Sequence, residues 1–194
     1  HLEMLDQVLK KFNITPHYNL KVMKPNQKLE EVTADMILKI SQILEKEKPE
    51  LVLVLGDTAT TFAGAYAAFL KGIPVGHIEA GLRTFDIYSP FPEEMYRQLV
   101  TRISTYHFAP TTKNKENLLS ENIKPDRIVV TGNPVIDALF EIGNRPHTYP
   151  KEFAQFLDKG KRIILITTHR RENFSQLKNV YLAINQLVQS FPDI

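Results

Sequence analysis

The sequence predicts an open, doubly wound α/β fold built on a parallel sheet. Two observations carry that prediction. Apolar runs of four to six residues alternate along the chain with longer stretches of helical period. Two of the runs, LVLVL at 51–55 and RIILIT at 162–167, are apolar at successive positions, the pattern of strands covered by helices on each face.

Taken in order, Leu2, Leu5, Val8 and Leu9 recur at helical spacing and predict a helix over 1–12. A strand follows at 18–22, then a helix over 30–48 and the strand 51–55. Gly56 permits a tight turn, and Thr58, Thr60 and Thr61 offer caps for a helix over 59–71. The strand 74–78 leads to a helix over 93–104, with Pro92 suited to its first turn and Glu93 and Glu94 to its positive end. The remaining expectations are a strand at 106–109, a helix over 112–121, a strand at 127–131, a helix over 134–142, a strand at 162–167 and a helix over 175–191. Because a helix comes first, a strand with its own loop is expected to precede residue 1, and the chain reads as part of a longer protein. Two prolines, a glycine and polar residues in EIGNRPHTYP, 141–150, place a boundary between a domain over 1–145 and the beginning of a second over 146–194.

Composition narrows the function. The 194 residues are 43% apolar and 24% charged, as in globular proteins, and 24 basic against 22 acidic residues give a net charge of +2 with no basic stripe. A nucleic-acid partner is not expected. Cysteine is absent, which removes thiolate metal sites and fits a reducing cytoplasm. No apolar run is long enough to span a bilayer, so no membrane partner is expected either.

In open α/β sheets ligands bind beyond the carboxyl ends of the strands, so the residues after each apolar run are the candidates. Asp57, in GDTATT, ends the strand 51–55; read alone it is an ordinary helix cap. Glu79 ends the strand 74–78, where a buried carboxylate needs a partner, and Arg83 is close enough in sequence to be one. For Glu94 a favourable place on the helix dipole is a sufficient account, whereas Glu93 lies at the loop mouth beside Asp57 and Glu79. After RIILIT, THRREN sets His169 beside Arg170 and Arg171, a group titrating near neutrality next to two phosphate-binding forks. Lys113 and Lys115 read as a solvated helix face. There is no G-x-G-x-x-G, Walker A or G-x-S-x-G sequence, and His77, His107 and His147 lack metal-ligand spacing, so no metal site is expected.

In order and spacing, GDTATT, IPVGHIEAGLRT, YSPFPEEMYR, YHFAPT, VTGNPVIDAL and THRREN resemble the motifs of the non-hydrolysing UDP-N-acetylglucosamine 2-epimerases, and six ordered motifs make the resemblance specific. It implies a GT-B-like pair of Rossmann-like domains, of which the first, without its opening strand, and the start of the second are present. It further implies interconversion of UDP-N-acetylglucosamine and UDP-N-acetylmannosamine without a redox cofactor, for surface polysaccharides, by a cytoplasmic homodimer. UDP would be eliminated to give 2-acetamidoglucal and then re-added. Asp57, Glu79 and Glu93 would be the acid and base groups and His169 would assist the leaving phosphates, while Arg83, Arg97, Asn133, Arg170 and Arg171 would bind substrate. The alternatives are a hydrolysing relative, a GT-B glycosyltransferase, or a nucleotide-sugar binding module without catalysis. The chain departs from the family at Phe85, often glycine there, and at Tyr96, often asparagine. Near an activator site that many bacterial members share, Glu3 and Asn26 stand where glutamine and arginine are expected.

Overall fold

Four of the apolar runs become strands: β1 (Val52–Leu55), β2 (Val75–Ile78), β3 (Tyr106–Ala109) and β4 (Ile128–Val130). They form one parallel sheet in the order β1-β2-β3-β4, with Val54 opposite His77, His77 opposite His107 and His107 opposite Ile128. The computed structural model describes residues 2–146, 148–151, 153, 162–167 and 177–191. The chain divides into two compact units, His1–Leu139 and Phe140–Ile194.

The helices are α1 (Leu2–Lys11), α2 (Leu29–Glu47), α3 (Ala59–Leu70), α4 (Glu93–Ile103), α5 (Thr112–Ser120), α6 (Pro134–Gly143) and α7 (Leu177–Ser190). The hydroxyl of Thr58 caps α3 by accepting from the Thr61 amide at 3.3 Å, and that of Thr111 caps α5 by accepting from the Asn114 amide at 3.3 Å. The helix α2 stops at Lys48, whose left-handed backbone returns its N–H to the Leu44 carbonyl. Small residues let α3 approach the sheet closely: Ala63, Ala65, Ala67 and Ala68 are fully buried. Around them Leu44 of α2, Val54, Val75 and Val100 of α4 close the larger core, and Ala80, Ala109, Leu118 and Ile128 form a second. Among the described residues no helix is long and apolar enough to cross a membrane.

Successive parallel strands joined by right-handed crossovers place their helices on one face of the sheet. Val54, Val75, His77, His107, Ala109 and Ile128 line that covered face. The alternate residues face the other way, and Leu53 and Leu55 are each 56% exposed there. The expectation of helices on each face of LVLVL is therefore met on one face among the described residues.

Two expected strands are not strands. Residues 18–22 carry Lys21 at φ +47°, outside the extended region, and the Asn19 side chain accepts the Lys21 amide at 3.1 Å in a local turn. Residues 162–167 form no ladder among the described residues.

Candidate active site

All four strands run the same way, so their carboxyl ends share one edge, and the conspicuous motifs of the first unit follow those ends. At the tip of β1, Gly56 turns at φ +78° and its N–H bonds the Ile78 carbonyl at 3.1 Å. His77 Nε2 donates to the Gly56 carbonyl at 2.8 Å, and Thr61 Oγ1 donates to the Leu55 carbonyl at 2.6 Å. The Leu55–Gly56 peptide is thus held at both its N–H and its carbonyl, and the next peptide, which enters Asp57, is held at its carbonyl by His77. At the tip of β2, Glu79 takes φ +70° and lies against this turn: a methyl group on Gly56 would sit 3.6 Å from Glu79 Oε2. Two strand tips therefore bring Glu79 beside the turn that carries Asp57.

Each carboxylate has a partner of its own. Arg97 of α4 donates Nε and Nη2 to Asp57 Oδ2 at 2.9 and 2.8 Å. Asn133, just beyond β4, donates Nδ2 to Glu79 Oε1 at 2.9 Å. Arg83 does not pair with Glu79. Its side chain is fully buried and its Nε and Nη2 bind Glu121 at the end of α5, with further bonds to Thr101 Oγ1 and the Leu82 carbonyl. The chain between Glu79 and Arg83 explains why. Gly81 turns at φ +88° so close to α5 that a Cβ would lie 2.3 Å from the Asn114 carbonyl oxygen, and its own carbonyl accepts from Asn114 and Asn117. This packing directs Arg83 toward α5.

Glu93 opens α4, half-buried, and its side chain makes no hydrogen bond or ion pair among the described residues. Its neighbour Glu94 is the larger surprise. It is 0% exposed and receives four donors, the Thr84 amide at 3.1 Å, the Phe85 amide at 3.3 Å, Arg97 Nη1 at 3.1 Å and Gln98 Nε2 at 3.1 Å. Burial by itself would raise its pKa, but the bonds from Gln98, Thr84, Arg97 and Phe85 together hold it below the usual carboxylate range. A place on the helix dipole does not account for it. Its spacing to Arg97, one turn on, was the signal in the sequence. His169, Arg170 and Arg171 lie outside the described residues.

Both departures from the family pattern have structural counterparts. Phe85 stands at φ +65° with 65% of its surface exposed, so a residue with a Cβ occupies a conformation that suits glycine. Phe85→Gly is expected to raise stability by about 0.5–1 kcal/mol, seen as a higher denaturation midpoint; a lower midpoint would mean that the ring's contacts outweigh the backbone cost. Tyr96 stacks on Phe62 with centroids 5.5 Å apart, and Phe62 stacks on Tyr66 at 5.7 Å, so the tyrosine extends an aromatic row between α3 and α4.

Burial pushes the His77 pKa down from 6.5 to about 4, against the opposing bond to the Gly56 carbonyl, and keeps the ring neutral. The unfolded chain then binds a proton that the native one does not between pH 6.5 and about 4. Stability is full above that window and declines through it, by on the order of 3 kcal/mol from this residue. Denaturation midpoints across the window test this: His77→Asn is expected to flatten the decline, and equal slopes in the two proteins would remove His77 as its source.

Residues 1–194 match a family model described as UDP-N-acetylglucosamine 2-epimerase. A UDP-N-acetylglucosamine 2-epimerase of Neisseria meningitidis is 50% identical over 99% of this chain and 53% of its own length. One from Bacillus subtilis is 47% identical over 100% of this chain and 50% of its own. The chain thus spans about half the length of the curated relatives it matches. Among solved structures, a Neisseria meningitidis UDP-GlcNAc 2-epimerase bound to UDP-GlcNAc superposes with a TM-score of 0.87 at 47% identity, covering 100% of this chain and 54% of that one. A Listeria monocytogenes protein described as a UDP-N-acetylglucosamine 2-epimerase gives 0.91 at 44% identity, covering 100% and 50%. With the parallel α/β sheet, the six motifs and these likenesses together, the chain has the GT-B-like α/β fold of the UDP-N-acetylglucosamine 2-epimerases and belongs to that family.

Proposed function

We propose that the protein to which this chain belongs interconverts UDP-N-acetylglucosamine and UDP-N-acetylmannosamine by the non-hydrolysing route, with the sugar's reacting carbons beside Asp57, Glu79 and Glu93. The observation that carries this reading is Glu79 held against the Asp57 turn, in a chain of this family. It is supported by relatives whose structures hold UDP-GlcNAc, one of them, from Methanocaldococcus jannaschii, together with UDP.

The chemistry explains the acidic set. The hydrogen on carbon 2 sits beside an acetamido group rather than a carbonyl and is weakly acidic, so its removal needs a placed base while the bond from carbon 1 to UDP breaks. One carboxylate takes the proton, the electron pair forms the carbon 1 to carbon 2 double bond, and UDP leaves with the other pair. The product is planar 2-acetamidoglucal. Return of a proton to the opposite face of carbon 2, with re-addition of UDP at carbon 1, inverts the centre. Acid and base groups are therefore needed on two faces, and Asp57, Glu79 and Glu93 supply them from two strand tips and a helix start. Asn133 and Arg97 orient the carboxylates they bind, and His169, Arg170 and Arg171 meet the phosphates. The scheme is redox-neutral and uses no redox cofactor. In this reading the enzyme is a cytoplasmic homodimer and its product feeds surface polysaccharides.

The test is to incubate the full-length protein with UDP-N-acetylglucosamine in heavy water and follow the sugar by NMR. Deuterium at carbon 2 of both nucleotide sugars, with UDP still attached at equilibrium, is the expected result. Accumulating free N-acetylmannosamine would identify a hydrolysing enzyme instead, and unchanged substrate would leave a glycosyltransferase lacking its acceptor or a binding module.

A further inference from the structure

We propose that Glu94 is a positioning residue for this reaction: through Arg97 it sets the carboxylate of Asp57, and through the amides of Thr84 and Phe85 it sets the loop joining Glu79 to Glu93. The inference rests on the epimerase reading and adds to it a residue that touches no substrate.

Four observations support it. The Glu94 side chain is fully buried, so its charge is enclosed by protein and must be compensated there. Its two oxygens each take two donors: the Thr84 amide and Arg97 on Oε2, the Phe85 amide and Gln98 on Oε1. A carboxylate accepts about four such bonds, so none of its capacity is spare. Arg97, only 13% exposed, divides its guanidinium between two carboxylates, Nη1 to Glu94 and Nε with Nη2 to Asp57. A planar fork fixed at one end fixes the other, so the place of Asp57 follows from that of Glu94. The loop anchored at Thr84 and Phe85 leads within eight residues to Glu93, so the same carboxylate ties the approach to Glu93 as well.

Steady-state kinetics on the full-length protein test the inference. Glu94→Gln keeps the shape but removes the charge that anchors Arg97; it is expected to lower kcat by about 10- to 100-fold, the loss that a sub-ångström to 1 Å misplacement brings, with KM changed by less than about 3-fold. Against an Arg97→Lys background, Glu94→Gln is expected to cost less than about 3-fold more, because the path to Asp57 is already broken and the glutamine oxygen still accepts a loop amide. Gln98→Met removes one donor from Glu94 Oε1 at nearly constant volume and is expected to lower kcat by about 3- to 10-fold, so it decides the matter if Glu94→Gln fails to fold. Unchanged kcat in folded Gln98→Met or Glu94→Gln protein, or independent losses in the double variant, overturns the positioning role and leaves the epimerase reading standing. A wild-type protein that does not place deuterium at carbon 2 overturns both.

Discussion

Glu79→Gln is expected to lower turnover of UDP-N-acetylglucosamine by about 10²- to 10⁴-fold while leaving the denaturation midpoint close to wild type. Several features separate the two effects. Glutamine matches glutamate in shape, and its amide oxygen can still accept the Asn133 hydrogen bond made at 2.9 Å. Residue 79 is only half-buried, so removing its charge disturbs little of the surrounding electrostatics. Its left-handed backbone suits glutamine no worse than glutamate. What the amide lacks is the ability to take up or return a proton. Initial rates on the full-length protein, beside a denaturant titration of the same preparation, check the expectation. A variant that unfolds readily but turns over normally while folded would make Glu79 structural.

Glu121→Ala is expected to have the largest effect on stability, about 3–5 kcal/mol, because it strands a buried guanidinium. Arg83 has no exposed side-chain surface, and after the change only Thr101 Oγ1 and the Leu82 carbonyl would remain to it. The contrast that identifies the cause is the paired replacement. Arg83→Met with Glu121→Leu removes both charges at similar volume and is expected to lie within about 1 kcal/mol of wild type, since two desolvated charges return little net stability beyond their own cost. Denaturant midpoints of the single and paired variants measure it. If the pair loses as much as Glu121→Ala, the damage lies in packing around α5 rather than in the uncompensated charge.

The strand tips were legible in the sequence because a parallel sheet aligns its carboxyl ends, so motifs that follow apolar runs must share an edge. That logic placed Asp57 beside Glu79 without any knowledge of contacts, whereas Asn133 entered the site only through the family resemblance. It failed where the partner was distant in sequence. Arg83 lies four residues from Glu79, yet it pairs with Glu121, thirty-eight residues on, because Gly81 packs against the Asn114 carbonyl and turns the chain toward α5. It failed again at Glu94, since which of two adjacent glutamates faces inward depends on the course of the loop 84–92, including the left-handed Phe85. Residues 18–22 show a third limit: apolar content favours a strand, but a strand also needs an extended backbone, and Lys21 at φ +47° leaves it.

The chain turns left-handed at or just past the ends of three strands, at Gly56, Glu79 and Gly132. Two of these turns use glycine, for which such a backbone is free of penalty. The third uses a side chain that costs about 1–2 kcal/mol to hold there. Heat tolerance, selected alone, would draw residue 79 toward glycine; proton transfer, the role proposed for it, would hold it at glutamate. On that proposal the backbone and the side chain answer to opposing pressures at this one position, and glutamate stands there despite the backbone cost.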